Sequence, residues 1–258
     1  MAIINFEIVN NVAYIALNRP EVYNSFNTEM ALLLQELLGK CTQDDDVRAV
    51  YLTGVGKAFS AGQDIGELTG SDAPSMQTIL QKHYNPIVWA IRQMPKPVVA
   101  AVNGVAAGAG ANIALACDVV VAAERASFIQ AFSKIGLIPD SGGTFVLPRL
   151  VGWGRASALM MLGDKVMAQE AAQFGMIYKV LGDDAFETES KKIAETLAKM
   201  PTHGLALTKQ ALNQSSSNDL NQQLALEDTL QQQAAKSQDY AEGIDAFLSK
   251  RPPNFIGK

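Results

Sequence analysis

Cysteine, histidine and blocks of one charge are scarce in this sequence, and each scarcity excludes a class of protein. The two cysteines, Cys41 and Cys117, are far apart, which excludes a disulfide framework and a Cys-x-x-Cys metal site. Neither of the two histidines, His83 and His203, has the spacing of a metal site or a catalytic triad, so we interpret both as structural. The 21 basic and 26 acidic residues give a net charge of −5 without a basic block, which makes nucleic acid and anionic membranes poor partners.

Several sequence signals are also missing. The first residues, MAIINFEIV, have no basic region before the apolar ones, so we expect no secretory signal and a cytoplasmic protein. There is no G-x-S-x-G elbow and no phosphate-binding P-loop, which disfavours serine hydrolases and nucleotidases. The longest apolar stretch, residues 97–123, is interrupted by Asn103, Asn112 and Asp118. We therefore predict that it is buried core and not a membrane span.

The patterns that are present indicate an α/β fold. Hydrophobic residues make up 48% of the chain, enough to bury a sizeable core. An alternating segment bends at Asn10–Asn11 like a hairpin, Asn27 precedes a helical pattern, and strands then alternate with helices up to Gly142. Beyond that residue the chain reads as mainly helical. We predict one continuous unit, with a core over residues 1–195 and a helical region over residues 196–258.

Two glycine-rich junctions are the strongest local candidates for a site. GKAFSAGQDI (56–65) and NGVAAGAGANIA (103–114) each follow a predicted strand and lead towards a helix. Free N–H groups converge at such turns, and two of them can hold one carbonyl oxygen as it gains negative charge. The rival interpretation of the second junction is a dinucleotide fingerprint. Ile113 argues against it, because a large side chain stands where the third glycine belongs.

A single carboxylate, Asp140, stands in the apolar segment IGLIPDSGG (135–143). Pro-Asp-Ser-Gly is ordinary turn chemistry, and Asp before Gly-Gly and an apolar run is a common helix cap. Local spacing therefore favours a structural role. A buried carboxylate is also a candidate general base, and the local pattern alone leaves both interpretations open.

Five segments in order resemble the enoyl-CoA hydratase/isomerase (crotonase) superfamily. They are LNRPEVYNSFN, GKAFSAGQDI, NGVAAGAGANIALACD, FSKIGLIPDSGG and KRPPNF, and together they span almost the whole chain. The resemblance implies a core of repeated ββα units followed by C-terminal helices used in trimerisation. It also implies a pocket for a CoA thioester, whose carbonyl is held by the main-chain N–H groups of Gln63 and Ala109.

The departures from the hydratase pattern are informative. Hydratases of this superfamily have two catalytic glutamates, at positions that are Asn112 and Phe132 here, and neither side chain can carry a proton. Asp140 stands where hydratases usually have glycine. The resemblance is therefore greatest to the isomerases of the superfamily, including those that rearrange ring-epoxidised phenylacetyl-CoA, and it changes the interpretation of Asp140 from cap to catalytic base.

The implied reaction is an isomerisation of an acyl-CoA. Asp140 would move a proton from C2 to C4 of a 3-enoyl-CoA, and related chemistry would convert the ring epoxide to an oxepin. We expect Phe132, Ile135, Leu137 and Ile138 to desolvate Asp140 and to raise its pKa. No metal or redox cofactor is required. The alternatives are a hydratase or hydrolase of the same superfamily and a non-catalytic CoA-binding protein.

Further residues are candidates for binding the CoA part and the acyl group. Asn112 either hydrogen-bonds substrate or water, or only satisfies nearby backbone groups. The resemblance implies phosphate contacts from Arg19 and Lys57, and places the adenine along the backbone of residues 61–65. The candidates on that segment are Ala61, Asp64 and Ile65, and those from a neighbouring subunit of a trimer or hexamer are Phe247 and Lys250.

Overall fold

The computed structural model describes residues 2–69 and 73–258. Ten strands are found in these ranges: Ile4–Val9 (β1), Val12–Leu17 (β2), Ala49–Gly54 (β3), Ala58–Ser60 (β4), Val98–Val102 (β5), Val105–Ala107 (β6), Val119–Ala123 (β7), Ser127–Ile129 (β8), Lys165–Met167 (β9) and Lys179–Leu181 (β10).

Eleven α-helical segments accompany these strands within the described ranges: Thr28–Gln43 (α1), Met76–Thr78 (α2), Asn85–Gln93 (α3), Ala109–Leu115 (α4), Gly143–Val151 (α5), Trp153–Leu162 (α6), Ala168–Gln173 (α7), Phe186–Ala198 (α8), Thr202–Ser215 (α9), Leu220–Ala234 (α10) and Gln238–Leu248 (α11). A π-helical stretch, Ile79–Tyr84, joins α2 to α3, and short 3₁₀ helices lie at Pro20–Val22, Ile65–Leu68 and Ala131–Ile135.

The strands form two sheets. The larger has the order β1-β2-β3-β5-β7-β10, with β1 antiparallel to β2 and the other neighbours parallel. The smaller has the order β4-β6-β8-β9, with β4, β6 and β8 parallel. Each of β3, β5 and β7 is followed directly by a short strand of the smaller sheet, which gives the repeated ββα units that the resemblance implies.

Local sequence explains where the first elements begin and end. The hairpin between β1 and β2 turns at Asn10 and Asn11, whose φ angles of 51° and 64° are the left-handed values that asparagine tolerates. Helix α1 begins as predicted, because the side chain of Asn27 accepts a hydrogen bond of 2.9 Å from the Met30 N–H. Strand β5 is fully buried, as expected for an apolar run in a parallel sheet, and this confirms that residues 97–123 supply core.

The local sequence patterns missed several short elements. They did not indicate strands β4, β6, β8 and β9, because three residues are too few for an alternating pattern to emerge. His203 lies in the first turn of α9. Among the described residues, no helix has both the length and the apolar character needed to cross a bilayer.

Candidate active site

The parallel strands of the smaller sheet end at three turns that contain most of the predicted site residues. Strand β4 leads to Gln63, β6 leads to Ala109 at the start of α4, and β8 leads to Gln130. Because β4, β6 and β8 are parallel neighbours, their carboxyl ends lie at the same edge of the sheet. The two glycine-rich junctions and the segment before Asp140 therefore reach one place.

The first two turns approach each other through main-chain atoms. Gly62 has a φ of +88°, and a Cβ built on it would lie 3.3 Å from the Ala109 nitrogen and 2.8 Å from the Ala107 oxygen. A side chain at position 62 would thus separate the two turns. Glycine there allows the Gly62–Gln63 peptide to lie beside the first residue of α4.

Both predicted oxyanion donors are available. Phe26 pairs with the Gly62 carbonyl at 2.7 Å and with the Asp64 N–H at 2.9 Å, so the Gln63 N–H between them faces away from Phe26. Ala109 is the first residue of α4, where an N–H has no acceptor within the helix. Neither N–H donates a backbone hydrogen bond within residues 2–69 and 73–258.

Asp140 is not a helix cap. Helix α5 begins after Gly142, and no side chain caps its N-terminus. The Asp140 carboxylate instead accepts a hydrogen bond of 2.8 Å from the Ser141 hydroxyl. The turn that follows is tight, because Ser141 and Gly142 have φ angles of 51° and 75°. The segment is therefore a turn, as its sequence predicts. The turn does not use the Asp140 carboxylate as a helix cap, so it does not explain why a carboxylate stands at this position.

Burial raises the pKa of Asp140 to about 6, and hydrogen bonds from Ser141 and from its own main-chain N–H oppose that rise. The expected source of the burial is partly wrong. Phe132 is buried, but Ile135, Leu137 and Ile138 are 59%, 38% and 81% exposed. The reason is local: the 3₁₀ helix Ala131–Ile135 ends at Gly136 with a left-handed φ of 74°, and the apolar residues after it lie at the surface.

Sequence reasoning missed Tyr84. This buried residue ends the π-helical stretch, and its hydroxyl donates a hydrogen bond of 2.7 Å to Gln63 Oε1. Burial is the main cause that raises the pKa of Tyr84, and the negative charge of Asp140 is the next. π-helical turns are frequent at functional sites, but no residue pattern in the sequence indicates one here.

The side chain of Asn112 is engaged with protein groups. Its amide nitrogen donates to the main-chain oxygen of Asp140 at 2.9 Å, and its amide oxygen accepts from Gln130 Nε2 at 2.8 Å. The residue is 1% exposed. Of the two alternatives for Asn112, this geometry favours the one in which it satisfies backbone groups beside the turn.

The residues predicted to contact CoA differ in how far they are already engaged with other protein groups. The Arg19 guanidinium is bound to the Asp64 carboxylate at 2.8 Å and to the Ser25 carbonyl at 2.7 Å. This pair holds the loop after Gln63, and Asp64 in turn caps the 3₁₀ helix Ile65–Leu68. The remaining predicted contacts are exposed on either side of β4, at Ile65 and near the C-terminus: Lys57, Ala61, Ile65, Phe247 and Lys250.

Phe132 borders the second turn, since a Cβ built on Gly108 would lie 3.8 Å from its ring. It therefore supplies an apolar wall where a hydratase has a glutamate. Within the described part of the chain, no three His, Cys, Asp or Glu side chains are grouped closely enough to hold a metal ion.

Two open main-chain donors and a half-buried carboxylate linked to α4 through Asn112 agree with the comparison to known proteins. Residues 7–258 match the family model described as enoyl-CoA hydratase/isomerase. The chain belongs to this family. This family is part of the crotonase superfamily, and the chain is a CoA-thioester isomerase or hydratase of that superfamily.

Named relatives of the family include enzymes of both activities. The chain is 47% identical over 262 residues to the 1,2-epoxyphenylacetyl-CoA isomerase of Escherichia coli (strain K12), with all of both chains covered. It is 36% identical to the trans-2-decenoyl-[acyl-carrier-protein] isomerase of Streptococcus mutans, covering 98% of this chain and 97% of that one. The crystal structure of an enoyl-CoA hydratase from Bacillus anthracis matches all of both chains with a TM-score of 0.93 and 34% identity.

Proposed function

We propose that this protein is an acyl-CoA isomerase that converts a 3-enoyl-CoA to the conjugated 2-enoyl-CoA, with Asp140 as the proton shuttle. The observation that carries the proposal is the presence of one half-buried carboxylate of raised pKa together with two main-chain N–H groups that make no backbone hydrogen bond within the described residues. The positions of the hydratase glutamates hold Asn112 and Phe132, so Asp140 is the proton carrier that remains.

The chemistry follows from the acidity of the substrate. A thioester's α-proton leaves only if the enolate is stabilised, and the N–H groups of Gln63 and Ala109 would supply that stabilisation by binding the thioester oxygen. Asp140 removes the proton from C2, the negative charge spreads over a dienolate, and the same carboxyl returns the proton to C4. The number of protons is conserved, so a single carboxylate suffices.

The likeness to the Escherichia coli isomerase supports a second substrate. We propose that the same pocket accepts ring 1,2-epoxyphenylacetyl-CoA and rearranges it to the oxepin thioester, which has the same atoms. The thioester carbonyl would bind the same two N–H groups, and the apolar wall at Phe132 suits an aromatic ring. This assignment would place the protein in phenylacetate catabolism.

The CoA part and the oligomer complete the proposal. Lys57, Ala61 and Ile65 are exposed, and they would contact the phosphate and adenine of CoA. Helix α11 exposes a row of large apolar side chains, Tyr240, Ile244, Phe247 and Leu248. Exposed apolar rows of this kind suit a subunit interface, so we propose a trimer or a dimer of trimers in which Phe247 and Lys250 reach a neighbouring site.

A hydratase is the second candidate, and the Bacillus anthracis structure favours it as a relative. Water addition to an enoyl-CoA needs a base for the water and an acid for the α-carbon. Asp140 alone would have to fill both roles in that reaction, because Asn112 and Phe132 replace the usual pair.

The deciding experiment compares the wild type with Asp140→Asn on a 3-enoyl-CoA in D₂O. Conjugated-enoyl absorbance and mass spectrometry report isomerisation and deuterium uptake. We expect conjugation by the wild type and a loss of at least about a hundredfold in the variant, roughly 2.7 kcal/mol of barrier. Hydration of a 2-enoyl-CoA without conjugation of the 3-enoyl isomer, or full activity of Asp140→Asn, would refute the proposal.

A further inference from the structure

Two buried amides link strand β8 to the Asp140 turn. Gln130, just beyond β8, donates from Nε2 to Asn112 Oδ1 at 2.8 Å, and Asn112 donates from Nδ2 to the Asp140 carbonyl at 2.9 Å. The two side chains are 5% and 1% exposed. They form a continuous chain of hydrogen bonds from a strand of the smaller sheet to the main chain of the carboxylate residue.

The direction of this chain is fixed by chemistry. A main-chain carbonyl only accepts hydrogen bonds, so the Asn112 atom facing Asp140 is the nitrogen and the other atom is the oxygen. The Gln130 atom facing that oxygen must then be its nitrogen. Gln130 Oε1 is left buried, with no hydrogen-bond partner among the residues that the structure describes. Such an orphan is unfavourable, which indicates that Gln130 is present for the bond that it gives to Asn112.

The receiving carbonyl is fully occupied. The Asp140 oxygen also accepts from the Gly143 N–H at 2.8 Å, so both of its lone pairs are used. Gly143 has no side chain where the Asn112 amide lies, and a Cβ there would collide with it. The turn itself needs support, because Ser141 is a non-glycine residue with a left-handed φ of 51°.

Asn112 also belongs to the helix that begins with the oxyanion donor. Helix α4 has Ala109 as its first residue and Asn112 three positions later. A helical turn is rigid, so the bond from Asn112 fixes the main chain of Asp140 relative to the Ala109 N–H. The distance between the base and the bound carbonyl is thereby set by one short helix.

We infer that Gln130 and Asn112 are positioning residues for the base: Gln130 orients the Asn112 amide, and Asn112 holds the Asp140 turn against the oxyanion site. This inference rests on the proposed function of Asp140 and adds two residues to it. In the site of a hydratase, position 112 would carry a proton itself. Here it fixes the place of a carboxylate that comes from the next turn.

The test uses two variants of the full-length protein that replace an amide by an apolar side chain of similar shape, Asn112→Leu and Gln130→Met, together with the double variant. Ser127→Ala is the matched control, because Ser127 lies in β8, is equally buried and has a hydroxyl without a hydrogen-bond partner in the described chain. Steady-state kinetics on a 3-enoyl-CoA, pH profiles and melting temperatures are measured for all four variants.

We expect kcat to fall by about tenfold to a hundredfold in each single variant, with KM within about twofold of the wild type, since the base is displaced and the CoA contacts are not. The double variant should be no slower than Asn112→Leu, because the two residues act in series. The midpoint of the acid limb of the kcat/KM pH profile should fall below the Asp140 pKa of about 6, because the displaced carboxyl becomes more hydrated. Ser127→Ala should retain the wild-type values.

Wild-type kcat in Gln130→Met, a loss confined to KM, or additive losses in the double variant would overturn the inference. If Asn112→Leu does not fold, Gln130→Met decides alone, since it leaves every atom of Asn112 in place. If the wild type does not isomerise a 3-enoyl-CoA, the proposed function fails first. In that case ¹³C NMR of labelled aspartate carboxyls tests the positioning role of Gln130 and Asn112. An Asp140 titration midpoint that is unchanged in Gln130→Met overturns that role.

Discussion

The Tyr84 hydroxyl donates a hydrogen bond of 2.7 Å to the side-chain oxygen of Gln63, whose main-chain N–H is a proposed oxyanion donor. The amide nitrogen of Gln63 faces the Asp64 carbonyl and the Glu67 carboxylate, both at 3.3 Å. Because those two groups accept, Gln63 Oε1 must be the acceptor for Tyr84. The phenol thus anchors the first turn from the side of the π-helical stretch.

Tyr84→Phe should lower kcat/KM by about tenfold, because the Gln63 peptide loses its anchor while the ring continues to fill the core. Tyr51→Phe is the matched control, since it also removes a buried hydroxyl. The Tyr51 hydroxyl lies 2.9 Å from the Ser190 hydroxyl, in a part of the fold remote from the proposed site. Both variants should cost about 1 kcal/mol of unfolding free energy. Equal activity losses in the two variants would show that the effect of Tyr84 is only one of stability.

The pH dependence of turnover should report Asp140. A base must be ionised to take a proton, so kcat/KM should fall tenfold per pH unit below a midpoint near the pKa of about 6. His83 is the competing titrating group, because burial lowers its pKa from the ordinary value and its helix ends at Tyr84. The pH profile of kcat/KM for His83→Gln should retain the same midpoint. If that midpoint disappears in the variant, the fall in activity at low pH belongs to His83 and not to Asp140.

Asp140→Asn should stabilise the protein above pH 6. The pKa of the carboxyl is about 6 in the folded state and near 3.8 when unfolded, so ionising it costs folding free energy, and this cost is fully present above the folded pKa and absent below the unfolded one. Removal of the charge should recover up to about 3 kcal/mol at pH 8 and almost nothing at pH 3. Denaturant titrations at both pH values measure the difference, and a variant less stable than the wild type at pH 8 would contradict the burial of the charge.

Ala109→Pro tests the second donor. Proline has no N–H, it is favoured at the first position of a helix, and Gly108 before it is free of the restrictions that a Cβ imposes. We expect the helix to form and kcat to fall by about a hundredfold or more, as when an oxyanion donor is removed elsewhere. Ala111→Ser, in the same helix, serves as a control that retains every N–H. Full activity of the proline variant would exclude the Ala109 N–H from the reaction.

The sequence was sufficient for the long elements and for the residues that differ from the hydratase pattern. Asn27, the Asn10–Asn11 turn and the buried run of β5 each carry a local physical signal, and the structure has all three. The place of Asp140 in a CoA-thioester site came from resemblance, because its local pattern favoured a cap.

Other parts of the site had no local signal. Strands of three residues show no periodicity, so the smaller sheet that gathers the turns was implied by the resemblance and not by any local pattern. Tyr84 and Gln130 act through bonds to residues 21 and 18 positions away. The exposure of Ile138 depends on a left-handed glycine that the apolar pattern of its segment conceals.

The parallel arrangement of β4, β6 and β8 divides the proposed chemistry between successive turns. The first two turns offer main-chain donors, which every amino acid but proline retains, whereas the third is followed by the segment that holds the carboxylate. The two main-chain donors are therefore retained under most substitutions, whereas the proposed proton transfer depends on a few side chains. Substitutions at positions 112, 132 and 140, which lie on two neighbouring segments, can therefore change the proposed reaction while the main-chain donors stay as they are.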